Sequence, residues 1–101
     1  MANLKQNQRM AMILAAATTL SEDGTLYSTL TADDVADKAE CSRATVLGYF
    51  GSMQGLRDSV VCKAIDDKNL NILAQALVGK DPLINGVPEA LREKAALSLI
   101  H

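Results

Sequence analysis

Three helix starts fall within about twenty residues of one another, at Thr31, Ser42 and Ser52. Each carries a side-chain oxygen that can accept from an amide in the first turn of a helix. The neighbours fit that role. Asp33 and Asp34 after Thr31 suit the positive end of a helix, and Leu30 can staple onto Val35. Cys41 is placed to staple onto Val46, and Leu56 lies five residues beyond Gly51. So many starts in so short a span leave room only for short helices and tight turns. The spacing predicts one helix from Thr31 to about Ala39, a second from Ser42 to Tyr49-Phe50, and a third from Ser52 to about Asp66.

The rest of the chain is also helical in pattern. Met10, Ile13, Leu14, Ala17 and Leu20 recur at helical spacing between Lys5 and Leu20, and Asp23-Gly24 predicts a turn after them. The segment "NLNILAQALV" either continues the Ser52 helix or restarts near Asp67. Gly79 suits a helix C-cap, Pro82 blocks continuation and "DPLINGV" reads as a loop. Pro88 sits well in the first turn of a last helix, with Leu91, Ala95 and Leu99 on one face. "YSTLT" is too short for a strand, so the expected fold class is all-α. Phe50, Tyr27 and Tyr49 are the only aromatic residues, which leaves a core of aliphatic side chains and many alanines.

A chain of 101 residues amounts to one domain with a short extension, placed here at residues 1–66 and 67–101. Cys41 and Cys62 have no metal-ligand spacing and no disulfide framework, and each is expected to behave as a small buried apolar residue in a reducing cytoplasm. No run reaches transmembrane length and no signal peptide is read, so the expected location is cytoplasmic, away from membranes. The formal charge is −2, with acid gathered at Glu22-Asp23, Asp33-Asp34-Asp37 and Asp66-Asp67. Between residues 41 and 65 the balance is positive, with Arg43, Arg57 and Lys63 against Asp58, and Lys5 and Arg9 add charge on the first helix.

A short helix, a tight turn and a second short helix describe a helix-turn-helix, whose second helix enters the major groove of DNA by its N-terminal residues. Those residues must be small or hydrogen-bonding. Ser42, Arg43, Ala44 and Thr45 are: Arg can read guanine, Thr can touch a thymine methyl and Ser can hold a phosphate.

The stretches "ILAAATTLSEDG", "LTADDVADKAECSRATVLGYFGSMQGL" and "RDSVV" resemble the N-terminal DNA-binding domain of the tetracycline-repressor (TetR) family. The resemblance runs from Arg9 to Val61. It is carried by Leu30-Thr31, by Ser42 at the start of the third helix, by Tyr49-Phe50 at its end, and by Ser52 capping the fourth. It implies phosphate contacts from Thr31, Ser42 and Tyr49, base contacts from Arg43, Ala44 and Thr45, and a core role for Phe50. Leu47 and Gly48 complete the expected DNA-facing set. Three positions depart from the family pattern. Glu40 stands where a Gly is usual in the turn, Leu47 where an aromatic is common, and Met53 where a Lys often contacts phosphate. A non-glycine residue in a left-handed turn costs on the order of 1 kcal/mol.

The resemblance implies a dimeric transcriptional regulator, a repressor occupying an inverted-repeat operator in double-stranded DNA. The family's sensor domain is not expected here, nor a small-molecule ligand, a cofactor or a metal. Ile72, Leu73, Leu77, Leu91, Leu97 and Ile100 offer more apolar surface than a thin monomer hides, so residues 67–101 are expected to form the homodimer contact. The chain is not expected to be an enzyme: it has no paired acid and base beside a nucleophile, no phosphate-cradling glycine loop and no internal His. The rival expectation is a helical protein–protein interaction module that keeps the fold without binding DNA. In that case Thr31 and Ser42 are simply caps, Arg43 a solvated surface side chain and Tyr49 a partly packed one.

Overall fold

In a computed structural model of the chain, residues 2–23 and 25–98 are described. Six α-helices account for most of them: α1 (Ala2–Glu22), α2 (Ala32–Ala39), α3 (Arg43–Phe50), α4 (Met53–Asp67), α5 (Leu70–Val78) and α6 (Glu89–Ser98). Short 3-10 turns lie at Tyr27–Thr29 and Pro82–Gly86, and no strand occurs among the described residues. The fold is all-α. The predicted turn residue Gly24, and Leu99, Ile100 and His101, lie outside the described residues. No helix among those described is long and apolar enough to cross a membrane.

The chain forms two compact units, Met1–Arg57 and Asp58–His101. The division falls inside α4. The early turns of α4 serve the first unit. Leu56 is wholly buried, and the guanidinium of Arg57 donates from Nη2 to the Leu30 carbonyl at 3.0 Å. That carbonyl lies just ahead of α2, and a part-buried backbone oxygen there needs a donor. The bond is long-range in sequence and has no local signature.

In the first unit α1 packs on α2 and on the Tyr27–Thr29 turn, and α2 packs on α3. Ile13, Ala16 and Ala17 of α1 are buried, while Met10, Leu14 and Leu20 are only half-buried. Small side chains at 16 and 17 let a helix approach closely. Leu30, Val35, Val46 and Leu56 are wholly buried, each worth roughly 1.5–3 kcal/mol of apolar burial. Of the residues placed to staple, Leu30, Val35 and Val46 are buried and Cys41 is half-buried. Tyr27 is buried in its 3-10 turn, whereas Phe50, expected in the core, is half-buried at the end of α3. Ser52 accepts from the Gly55 amide at 3.0 Å, and a Cβ built on Gly55 would overlap the Phe50 carbonyl oxygen, so this close turn demands glycine.

In the second unit α5 packs on α6 and on the Pro82–Gly86 turn. The helix does not run on from α4. Lys68 takes a left-handed conformation (φ 56°) and Asn69 Oδ1 then caps α5 from the Ile72 amide at 3.3 Å. Gly79 closes α5 in a right-handed conformation, and the left-handed residue is Lys80 (φ 55°). The predicted loop is a 3-10 turn started by Asp81, whose Oδ1 accepts from the Leu83 amide at 3.0 Å. Ile72, Leu73, Ala74, Ala76, Ile84, Val87 and Ala95 are buried. Ile72 and Leu73, counted as surplus apolar surface, are therefore core residues. Leu77 and Leu91 are half-buried, and among the described residues of this unit the large apolar side chains left exposed are Val78 and Leu97. Cys62 is exposed and Cys41 half-buried, both as free thiols, so neither is the buried apolar residue expected.

Candidate functional site

The surface that gathers the sequence-predicted residues is built by two caps and a turn. Thr31, extended at φ −110° and ψ 155°, accepts from the Asp34 amide at 3.1 Å and starts α2. Glu40 ends α2 in the left-handed conformation, φ 57° and ψ 47°. The Cys41 amide bonds back to the Ala36 carbonyl at 2.9 Å, which satisfies an oxygen the helix end leaves open. Ser42, extended at φ −87° and ψ 156°, then accepts from the Thr45 amide at 3.1 Å and starts α3. The strained Glu40 is what lets α3 begin so soon after α2 ends.

Helical geometry turns successive side chains of α3 by about 100°. Val46 is wholly buried. The side away from it carries Ala44 and Gly48, both exposed, and a Cβ built on Gly48 meets nothing within 4 Å. Exposed Arg43 and half-buried Leu47 flank this crest on one side, and half-buried Thr45 and Tyr49 on the other. The crest is thus almost bare of side-chain bulk, with hydrogen-bonding groups on both shoulders.

The hydroxyls are arranged rather than free. Ser42 Oγ and Thr45 Oγ1 lie 2.8 Å apart, and either can donate to the other. Since the Thr45 amide also occupies a lone pair of Ser42 Oγ, one hydroxyl proton of the two remains for an outside acceptor. Thr31 accepts through Oγ1, which leaves its own proton available in the same way.

Between α1 and α3 lies a groove of about 540 Å³, with Gln6, Asn7, Arg9 and Met10 facing Thr45, Gly48 and Tyr49. A second, of about 480 Å³, runs from Arg9, Met12 and Ile13 to the turn at Ala39–Ser42 and to Thr45. Arg9 and Thr45 border both. Arg9 stands out by its charge, whereas the other α1 residues escape a reading by motif because they lie far from α3 in sequence.

Charge differs from the sequence balance. Of the three cations counted between residues 41 and 65, Arg57 is turned to the Leu30 carbonyl and Lys63 to Asp67 at 2.6 Å. Arg43 remains on the surface, with Nε 4.0 Å from Asp33 Oδ1. Exposed Asp33, Asp34, Asp37 and Glu40 border exposed Lys38. The surface is therefore mixed in sign around a lone outward Arg on α3. Among the described residues no cluster of His, Cys, Asp and Glu could hold a metal ion. The Lys5 side chain lies outside the described residues.

No protein-family model, no curated protein and no solved structure matches the chain.

Proposed function

We propose that residues 30–51 act as a helix-turn-helix and that the chain binds double-stranded DNA in a sequence-specific manner, as a transcriptional regulator of the kind its TetR-like motifs imply. One observation carries the reading: the low crest of Ala44 and Gly48 on α3, shouldered by Arg43, Thr45 and Tyr49 and opened by a capped N-terminus. A helix enters the major groove only if its leading face is slim, and it reads there through donors such as these. In this role Arg43 takes the O6 and N7 atoms of a guanine, and the Thr45 methyl or hydroxyl meets a neighbouring base. Ser42, Thr31 and Tyr49 hold phosphates. The N-terminal end of the α1 groove, with Arg9 exposed, brings a further cation to the same side.

As a homodimer, the chain would present two such helices to successive major grooves, with half-sites about 34–36 Å apart or a multiple of that. Occupying such an inverted repeat would repress a promoter that overlaps it. A gel-shift series over several salt concentrations tests the reading. Preference for one duplex over random sequence at low salt supports it, and equal or absent binding contradicts it.

The mixed charge around Arg43 favours a second reading, a protein-interaction module that uses the same helices. Four exposed carboxylates on and after α2 repel phosphates but can pair with a basic partner. The gel-shift series separates the two, since that module binds no duplex.

A further inference from the structure

Arg43 does not stand alone at the head of α3. Its Nε lies 4.0 Å from Oδ1 of Asp33, in the first turn of α2, and the two side chains stay 67% and 78% exposed. The pair joins the first turns of two helices across the Glu40 turn. An exposed pair of this kind is weak, so a competitor can break it. Asp34, in the same turn and equally charged, makes no such pair.

Competitors for Arg43 differ in what they bring to Asp33. A phosphate carries a full negative charge, so a phosphate that approaches Arg43 also approaches the Asp33 carboxylate and is repelled. A guanine edge offers two acceptors without a net charge and takes the guanidinium in a bidentate pair. We infer that Asp33 is a specificity-determining residue that acts through Arg43. It withholds the guanidinium from the DNA backbone and yields it to a base edge, which lowers non-specific binding more than specific binding. The inference rests on the DNA-binding reading above. Asp33 is a positioning residue and need not touch the duplex.

The test uses the full chain and two duplexes of equal length, one enriched from a random pool and one scrambled. Asp33→Asn is expected to strengthen binding to the scrambled duplex roughly 2–5-fold, the span an exposed pair can supply. The slope of log affinity against log salt on that duplex steepens by about 0.9, one further phosphate contact. Affinity for the enriched duplex changes less, so the ratio between the two falls. In an Arg43→Ala background the same substitution has no effect on the ratio, and Asp34→Asn in the parent chain acts on both duplexes alike and leaves the ratio unchanged. Matching thermal melts for the variants set a structural role aside, because stability alone does not move a ratio of affinities. An unaltered ratio in Asp33→Asn, or an equal change in Asp34→Asn, overturns the inference while leaving DNA binding intact. A parent chain that does not distinguish the two duplexes overturns both.

Discussion

Gly48 is a residue whose identity the fold does not demand. An added Cβ would meet nothing, and its backbone is not left-handed, unlike that of Gly51 at φ 81°. A glycine inside a helix costs about 1 kcal/mol relative to alanine. Gly48→Ala is therefore expected to raise stability by about 0.5–1 kcal/mol in urea unfolding, while the new methyl, standing on the crest, weakens binding to the preferred duplex. Tighter binding together with higher stability would remove the crest from the contact. Arg43 makes the complementary case. Its replacement by Ala should cost about 1–3 kcal/mol of specific affinity and relax preference at one base position in each half-site, as read by competition among single-base variants. Unchanged preference would take Arg43 out of the reading set.

At the scale of elements, a charged residue in the left-handed conformation follows three helices, directly after α2 and α4 and one residue later, behind the Gly79 cap, after α5. Glu40, Lys68 and Lys80 have φ of 57°, 56° and 55°. Each is followed by an amide that bonds back into the helix, Cys41 to Ala36 at 2.9 Å, Asn69 to Ala64 at 2.8 Å and Asp81 to Ala76 at 3.0 Å. Glycine adopts this conformation without the Cβ penalty, so Glu40→Gly should stabilise the chain by about 1 kcal/mol in thermal or denaturant unfolding. A loss of stability would mean that the Glu40 side chain offsets its own strain. The same features explain what could be read beforehand. Thr31 and Ser42 were legible because a cap is a bond between neighbours in sequence, and buried Val35 and Val46 follow from the staples beside them. Lys68 was not, since no glycine marks it, and at Lys80 the neighbouring Gly79 points one residue too early; in both cases the turn is closed by a bond five residues back. Arg57 with the Leu30 carbonyl, and Arg43 with Asp33, join segments that meet only after folding. Charge counted along the chain therefore overstated the positive face, and helical spacing could not reveal that Ile72 and Leu73 are core while Val78 and Leu97 are exposed.

For the whole molecule, a formal charge of −2 and few outward cations near α3 mean that few phosphates can be neutralised. On the proposed reading, specific recognition then comes from the shape of α3 and its donors, with weak non-specific binding and a shallow salt slope. Pairing of two copies would supply the rest, by placing two slim helices in register with one face of the duplex. Enrichment of bound duplexes from a random pool by the full chain measures all of this together. The account predicts a sequence with two-fold symmetry, with guanine at the position set by Arg43 in each half and half-site centres one helical turn or a multiple of it apart. A pool that remains random after repeated rounds at low salt would contradict it.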